Sequence, residues 1–161
     1  MNDPTTIQPA ADEVLARRLL AVQHAAYAIE AALIGDDRIP PLRETVAELR
    51  AAPLRWLGTY HGDLLVGAVA WTEDAATVDI DRLVVDPVAH RRGTGRALVR
   101  AVLTRAGDRR VLVATGRANH PARSLYESLG FRPVADAEPA PGLWITRYER
   151  PEASAAETRS A

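Results

Sequence analysis

The chain contains no cysteine and no lysine. Without thiols there is no disulfide framework, no thiolate metal site and no cysteine nucleophile. Without lysine there is neither a P-loop lysine nor a Schiff base at a lysine amine. All 20 basic residues are arginine, and 21 acidic residues bring the net charge to −1, short of the basic balance that marks a nucleic-acid-binding domain. No run of about 18 apolar residues is present to span a membrane. Met1 to Ala11 reads MNDPTTIQPAA, with no basic start followed by an apolar stretch, so the expected location is the cytoplasm. The 4 histidines are scattered with no metal-ligand spacing, and no metal is expected. What is there is ordinary: 161 residues, 47 % hydrophobic and 25 % charged, describe one soluble globular domain able to bury a real core.

Apolar residues from Val14 to Leu33 recur at three- and four-residue steps, predicting a long amphipathic helix with Asp12 as N-cap and Gly35 as stop. Pro40-Pro41 breaks the chain, and Pro41 opens a shorter helix over Leu42, Val46 and Leu49. Leu54 to His61 and Leu64 to Thr72 form a hairpin about the Gly62-Asp63 turn. A third strand spans Thr77 to Val85 and ends at Asp86-Pro87. A glycine-rich turn then opens a helix that fades at Gly107, followed by a short buried strand from Val111 to Thr115. Asn119 to Leu129 is a helix with Ala122, Leu125, Tyr126 and Leu129 on one face and Gly130 as its stop. Phe131 to Ala135 and Leu143 to Tyr148 are the last strands, joined by a loop carrying Pro139, Pro141 and Gly142. The expected division is a domain over residues 1–150 and a disordered tail over 151–161.

The sharpest local signal is Val84-Val85-Asp86-Pro87 followed by Arg92-Gly93-Thr94-Gly95-Arg96-Ala97 leading into a helix. Paired glycines let backbone N–H groups turn inward, and the open donors of a helix N-terminus add about half a positive charge. The Thr94 hydroxyl and the charges of Arg91, Arg92 and Arg96 lie beside the same spot. A pyrophosphate fits this description, while the bland alternative is a solvated helix start. A dinucleotide fingerprint is excluded because Leu98 stands where a third small residue is needed.

Arg92 to Ala97 resembles the R/Q-x-x-G-x-G/A pyrophosphate loop of the GNAT superfamily of acyl-CoA-dependent N-acyltransferases. Asn119-His-Pro-Ala-Arg-Ser-Leu-Tyr126-Glu-Ser-Leu-Gly130-Phe131 resembles that superfamily's second signature, N-x-x-A-x-x-L/F-Y-x-x-x-G-F. The predicted order, β-α-α-β-β-β-α-β-α-β-β, is similar to the family fold from about Thr6 to Arg150. This is an α/β (α+β) class, a mixed and mostly antiparallel twisted sheet with helices on both faces.

The resemblance implies acetyl-CoA as acyl donor, its pyrophosphate held by backbone amides around Arg92 to Ala97. The strands at Thr77–Val85 and Val111–Thr115 splay, and the pantetheine arm pairs with backbone groups of Leu83 and Val85. Asn119 is then a pantetheine ligand, although it also reads as a helix N-cap. Tyr126 matches the family's general acid, protonating the departing thiolate; by its stripe alone it is a core aromatic. A backbone donor near Val84 or Val85 would stabilise the developing oxyanion. For the base, Asp79 matches a family carboxylate position, with Asp where other members have Glu, and Asp81 shares its face if the strand is regular. Two adjacent carboxylates raise the pKa of one of them. Glu73, His61 and Glu30 are weaker candidates.

The expected reaction is direct acetyl transfer to an amine in a ternary complex, with no acyl-enzyme. The family's edge strands leave a monomer or homodimer open. A second reading is a non-catalytic acyl-CoA sensor or interaction module of the same fold. A third, nucleic-acid binding through the arginines between 91 and 105, is opposed by the net charge.

Overall fold

The computed structural model describes residues 2–152; the tail expected beyond Pro151 lies almost wholly outside the described residues. Seven strands form one sheet in the order β1-β2-β3-β4-β5-β7-β6, with β1 Thr5–Thr6, β2 Arg55–His61, β3 Leu64–Glu73, β4 Thr77–Val85, β5 Arg110–Gly116, β6 Arg132–Ala140 and β7 Leu143–Arg150. Every neighbouring pair is antiparallel except β4 with β5.

Helices cover both faces. On one lie α1 (Glu13–Ile34) and α2 (Val46–Ala51), whose Leu19, Val22, Tyr27 and Leu49 pack on Trp56, Leu65, Ala68 and Val84. On the other lie α3 (Thr94–Ala106) and α4 (His120–Ser128), whose Leu98, Val102 and Tyr126 pack on Val69, Ile80, Val113 and Tyr148. Local chemistry sets the ends as expected: Asp12 caps the Leu15 amide at 3.1 Å, and Gly35 stops α1 at φ 67°.

Two boundaries differ from the sequence reading. Pro41 opens only a 3-10 turn, Pro40–Arg43, and α2 starts afresh at Val46 behind a Thr45–Glu48 capping box. The last hairpin is longer than expected, since β6 runs through Pro133 and Pro139 to Ala140. It is an edge strand, where a missing proline donor costs no ladder bond on the open side.

β4 changes register against β3 partway along its length. Ile80 pairs with Trp71 and Arg82 with Ala70, so Asp81 is the extra residue of a bulge. Before it, Val78 and Ile80 enter the α3/α4 core; after it, Val84 enters the α1 core.

Candidate active site

β4 and β5 pair only from Thr77–Arg110 to Ile80–Val113. Beyond that β5 follows β7, while β4 continues from Asp81 to Val85 with β3 alone. The sheet therefore opens at its middle, and side chains from its two faces meet across the gap.

One end of the opening is the start of α3. Asp12, Thr45 and Asn119 cap the other three helices through their side chains, but α3 begins at Gly93, in the left-handed region at φ 74°, with no side-chain cap. The first α3 amide with a helical acceptor is that of Ala97, bonded to the Gly93 carbonyl at 2.9 Å. The helix sits close to the sheet because residue 67 is glycine: a Cβ there would stand 2.9 Å from Thr94 Cγ2 and 3.1 Å from Leu98 Cδ1. Arg91 is the sole described non-glycine residue at positive φ, 63°.

A cleft of about 630 Å³ runs from this helix start along β4, between α1 and α4. Leu83, Val85, Arg91, Gly93, Thr94, Gly95, Arg96 and Asn119 line it, joined by Ile29 and Leu33 of α1. The volume suits a sizeable organic ligand. Arg92 and Ala97 do not line it, and the Val84 side chain lies in the α1 core, so only its backbone is available. The Thr94 methyl rests over Gly67 of the sheet and its hydroxyl donates to the Ala89 carbonyl at 3.4 Å, while the residue lines the cleft. Arg96 leans on α4 and donates to the Ser128 hydroxyl at 2.9 Å.

A second cleft of about 270 Å³ continues through the splay toward the 3-10 turn and the last hairpin. Tyr27, Glu30, Leu83, Asn119 and Ala122 line both clefts. Tyr126 and Asp81 line the second, with apolar walls from Ile39, Val113, Leu143 and Ile145.

Tyr126 sits in the core and also borders the cleft. Its ring is buried, edge-on to Phe131 with centroids 5.6 Å apart and tilted against Tyr148 at 6.0 Å, while the residue also borders the cleft. Burial, then the charge of Glu30, push its phenol well above the ordinary range. It is therefore a proton-bearing phenol at neutral pH. Asn119 is likewise a cap, accepting from the Ala122 amide at 3.3 Å, and a residue of both clefts.

The carboxylates separate. Asp79 lies where β4 still pairs with β5 and lines neither cleft; burial first, then neighbouring Asp81, raise its carboxyl above the usual range. Asp81 lines the second cleft and is held by Arg82 at 2.8 Å. Glu30 reaches across the gap from α1, its Oε1 accepting from the Thr115 hydroxyl and the Gly116 amide, each at 3.3 Å. The other candidates lie elsewhere. Glu73 pairs with Arg109 at 2.6 Å and Arg55 at 3.0 Å, and His61 is the last residue of β2, at the turn into β3.

An α/β domain whose parallel strand pair splays between an uncapped helix start and a buried tyrosine is the class that fold and site define. The model of the acetyltransferase (GNAT) family matches residues 22–131, and the chain belongs to that family. It is 36 % identical over 138 residues to the UPF0157 protein YqkA of Bacillus subtilis, covering 85 % of this chain and 40 % of that protein. It is 32 % identical over 105 residues to N-alpha-acetyltransferase RimI of Mycobacterium tuberculosis, covering 63 % of this chain and 66 % of that one. The chain thus spans less than two thirds of each of these curated relatives. Among solved structures, the ribosomal-protein-S18-alanine N-acetyltransferase of Escherichia coli superposes with a TM-score of 0.73 at 15 % identity, covering 94 % of both chains. An N-acetyltransferase of Thermoplasma acidophilum in complex with coenzyme A superposes at 0.67 and 15 % identity, covering 91 % of this chain and 98 % of that chain.

Proposed function

We propose that the protein transfers an acetyl group from acetyl-CoA to an amine by direct attack. The observation that carries this reading is the pair of clefts joined at the splay: one starts at an uncapped helix N-terminus, and the other holds Tyr126 and carboxylates. Backbone amides from Gly93 to Arg96 receive the pyrophosphate, with Arg91 and Arg96 beside it. The unpartnered β4 edge at Leu83 and Val85 pairs with the pantetheine amides, and Asn119 borders the same path. That route delivers the thioester to the junction of the clefts.

The amine enters from the second cleft. Holding it against the thioester supplies much of the rate, and a backbone N–H near Val84 or Val85 stabilises the developing oxyanion. Tyr126 gives its proton to the departing thiolate. Asp81, ion-paired with Arg82 at the wall of the second cleft, draws in an ammonium group, and Asp79 reaches the cleft only through water. Relatives named for acetyl transfer, such as the mycothiol acetyltransferase of Beutenbergia cavernae at 46 % identity over 88 residues, support the reaction class.

The test is release of free CoA from acetyl-CoA across a panel of small amines and peptide N-termini, beside calorimetric binding of CoA. Tyr126→Phe lowers turnover about 10²-fold or more with CoA affinity near normal. Tight CoA binding with no transfer to any amine would replace the enzyme by an acyl-CoA-binding module.

A further inference from the structure

A carboxylate brought from another element stands where the two clefts join. β5 outruns its last β4 pair at Val113, and beyond that point Glu30 of α1 meets the Thr115 hydroxyl and the Gly116 amide through Oε1. Oε2 has no hydrogen-bond partner among the described residues. The absence of a side chain at Gly116 lets the end of α1 come this close to β5, since a Cβ there would stand 2.6 Å from Ile34 Cγ2. Among the described residues, Glu30 is the one carboxylate that lines both clefts; Asp81 lines the acceptor side alone.

We infer that Glu30 is the catalytic base, taking the acceptor's ammonium proton at Oε2 while Thr115 and Gly116 hold Oε1. This rests on the acetyl-transfer reading and divides the work among its carboxylates, with Asp81 attracting the cation and Glu30 deprotonating it. The ammonium gives one proton to Glu30, and the nitrogen lone pair forms the C–N bond to the thioester carbonyl. The C–S bond breaks and the thiolate takes the Tyr126 proton. The nitrogen then sheds a second proton, which restores Tyr126 through water, and Glu30 releases its own proton to solvent. The turnover yields amide, CoA thiol and one net proton. A base within reach of the reacting nitrogen is worth about 10² to 10⁴ in rate.

Several groups set the field at Glu30. Tyr27 flanks it on α1, Tyr126 faces it from α4, and Asp81 and Arg82 line the acceptor cleft from β4, with Arg38 beyond α1. His90, Arg91 and Arg96 lie along the donor cleft. Burial first, and then the neighbouring Glu30, raise the phenols of Tyr27 and Tyr126, which places the three groups in one electrostatic environment.

Glu30→Gln keeps an oxygen for Thr115 and Gly116 but cannot take a proton. It is compared with the wild type on the alkylamine turned over fastest in the panel and on that amine's β,β-difluoro analogue, largely unprotonated at pH 7.5. The expected result is a loss of about 10²-fold or more in kcat/KM on the alkylamine, recovering as the pH approaches that amine's own pKa, with less than a threefold loss on the difluoro analogue. Equal losses on both amines would make Glu30 a structural tie between α1 and β5 and overturn the inference, leaving the acetyl-transfer reading intact. A wild type that acetylates no amine sinks that reading and this one with it. If Glu30→Gln melts below the assay temperature, Glu30→Asp takes its place, and it must slow the alkylamine while sparing the difluoro analogue.

Discussion

Arg82 is the place where stability and site geometry are joined, and replacing it tests both. The bulge at Asp81 turns Arg82 into the α1 side, where its side chain is only 8 % exposed. There it donates to Glu44 at 2.7 Å, Asp81 at 2.8 Å and the side-chain oxygen of Gln23 at 3.1 Å, with Trp56 5.7 Å away beneath the guanidinium. Gln23 in turn donates to Glu44 at 3.1 Å and to the Pro41 carbonyl at 2.9 Å, so the network fixes the 3-10 turn that walls the second cleft. Arg82→Leu strands the Glu44 carboxylate, 13 % exposed, without its cation. Breaking one partner of such a buried pair costs about 3–5 kcal/mol. At about 2–4 °C per kcal/mol for a chain of this size, the melting temperature falls by roughly 6 to 20 °C. Adding Glu44→Leu removes the stranded charge and recovers part of the loss, leaving the Gln23 side-chain oxygen unsatisfied at roughly 1–3 kcal/mol and Gln23 Nε2 with the Pro41 carbonyl as its remaining acceptor. Urea and thermal melts at pH 7 on wild type, both singles and the double give the coupling energy directly. An Arg82→Leu protein melting within about 2 °C of wild type, or a double no more stable than the single, would refute the reasoning.

Substitutions at the start of α3 and on β4 give two further predictions. At Gly95 a Cβ meets only ordinary contacts, Leu125 at 3.5 Å and Leu83 and Val85 at 3.8 Å, so Gly95→Glu folds but thrusts an anion into the cleft and abolishes CoA binding. Retention of that variant on a CoA-affinity column would remove the loop from the site. Asp79 has a carboxyl raised in the folded state, so its favourable contribution is full below the ordinary carboxylate range and is lost as pH rises through the raised value. Asp79→Asn therefore melts higher than wild type at pH 7, and the gap closes as pH falls through the carboxylate range. A gap that widens toward acid has the wrong sign for this account.

Much of this protein is written locally in its sequence. The heptad-like steps of α1, the Asp12 and Asn119 caps, the stop at Gly35 and the glycines before Leu98 each act within a few residues, where propensity and capping decide the outcome. The two signatures about Arg92–Ala97 and Asn119–Phe131 likewise mark the helix start and Tyr126 directly. Tertiary structure alone decided the rest. Glu30 meets Thr115 across 85 residues of chain, and Arg82 meets Glu44 across 38, so neither pairing leaves a periodic trace. The bulge at Asp81 depends on how β4 registers against β3, and it is this register that sends Asp81 to the cleft. Thr94 rests against the sheet because Gly67 lets the helix settle there. Contacts between distant segments are fixed by packing and by closing the sheet, and those are properties of the assembled fold that no local window contains.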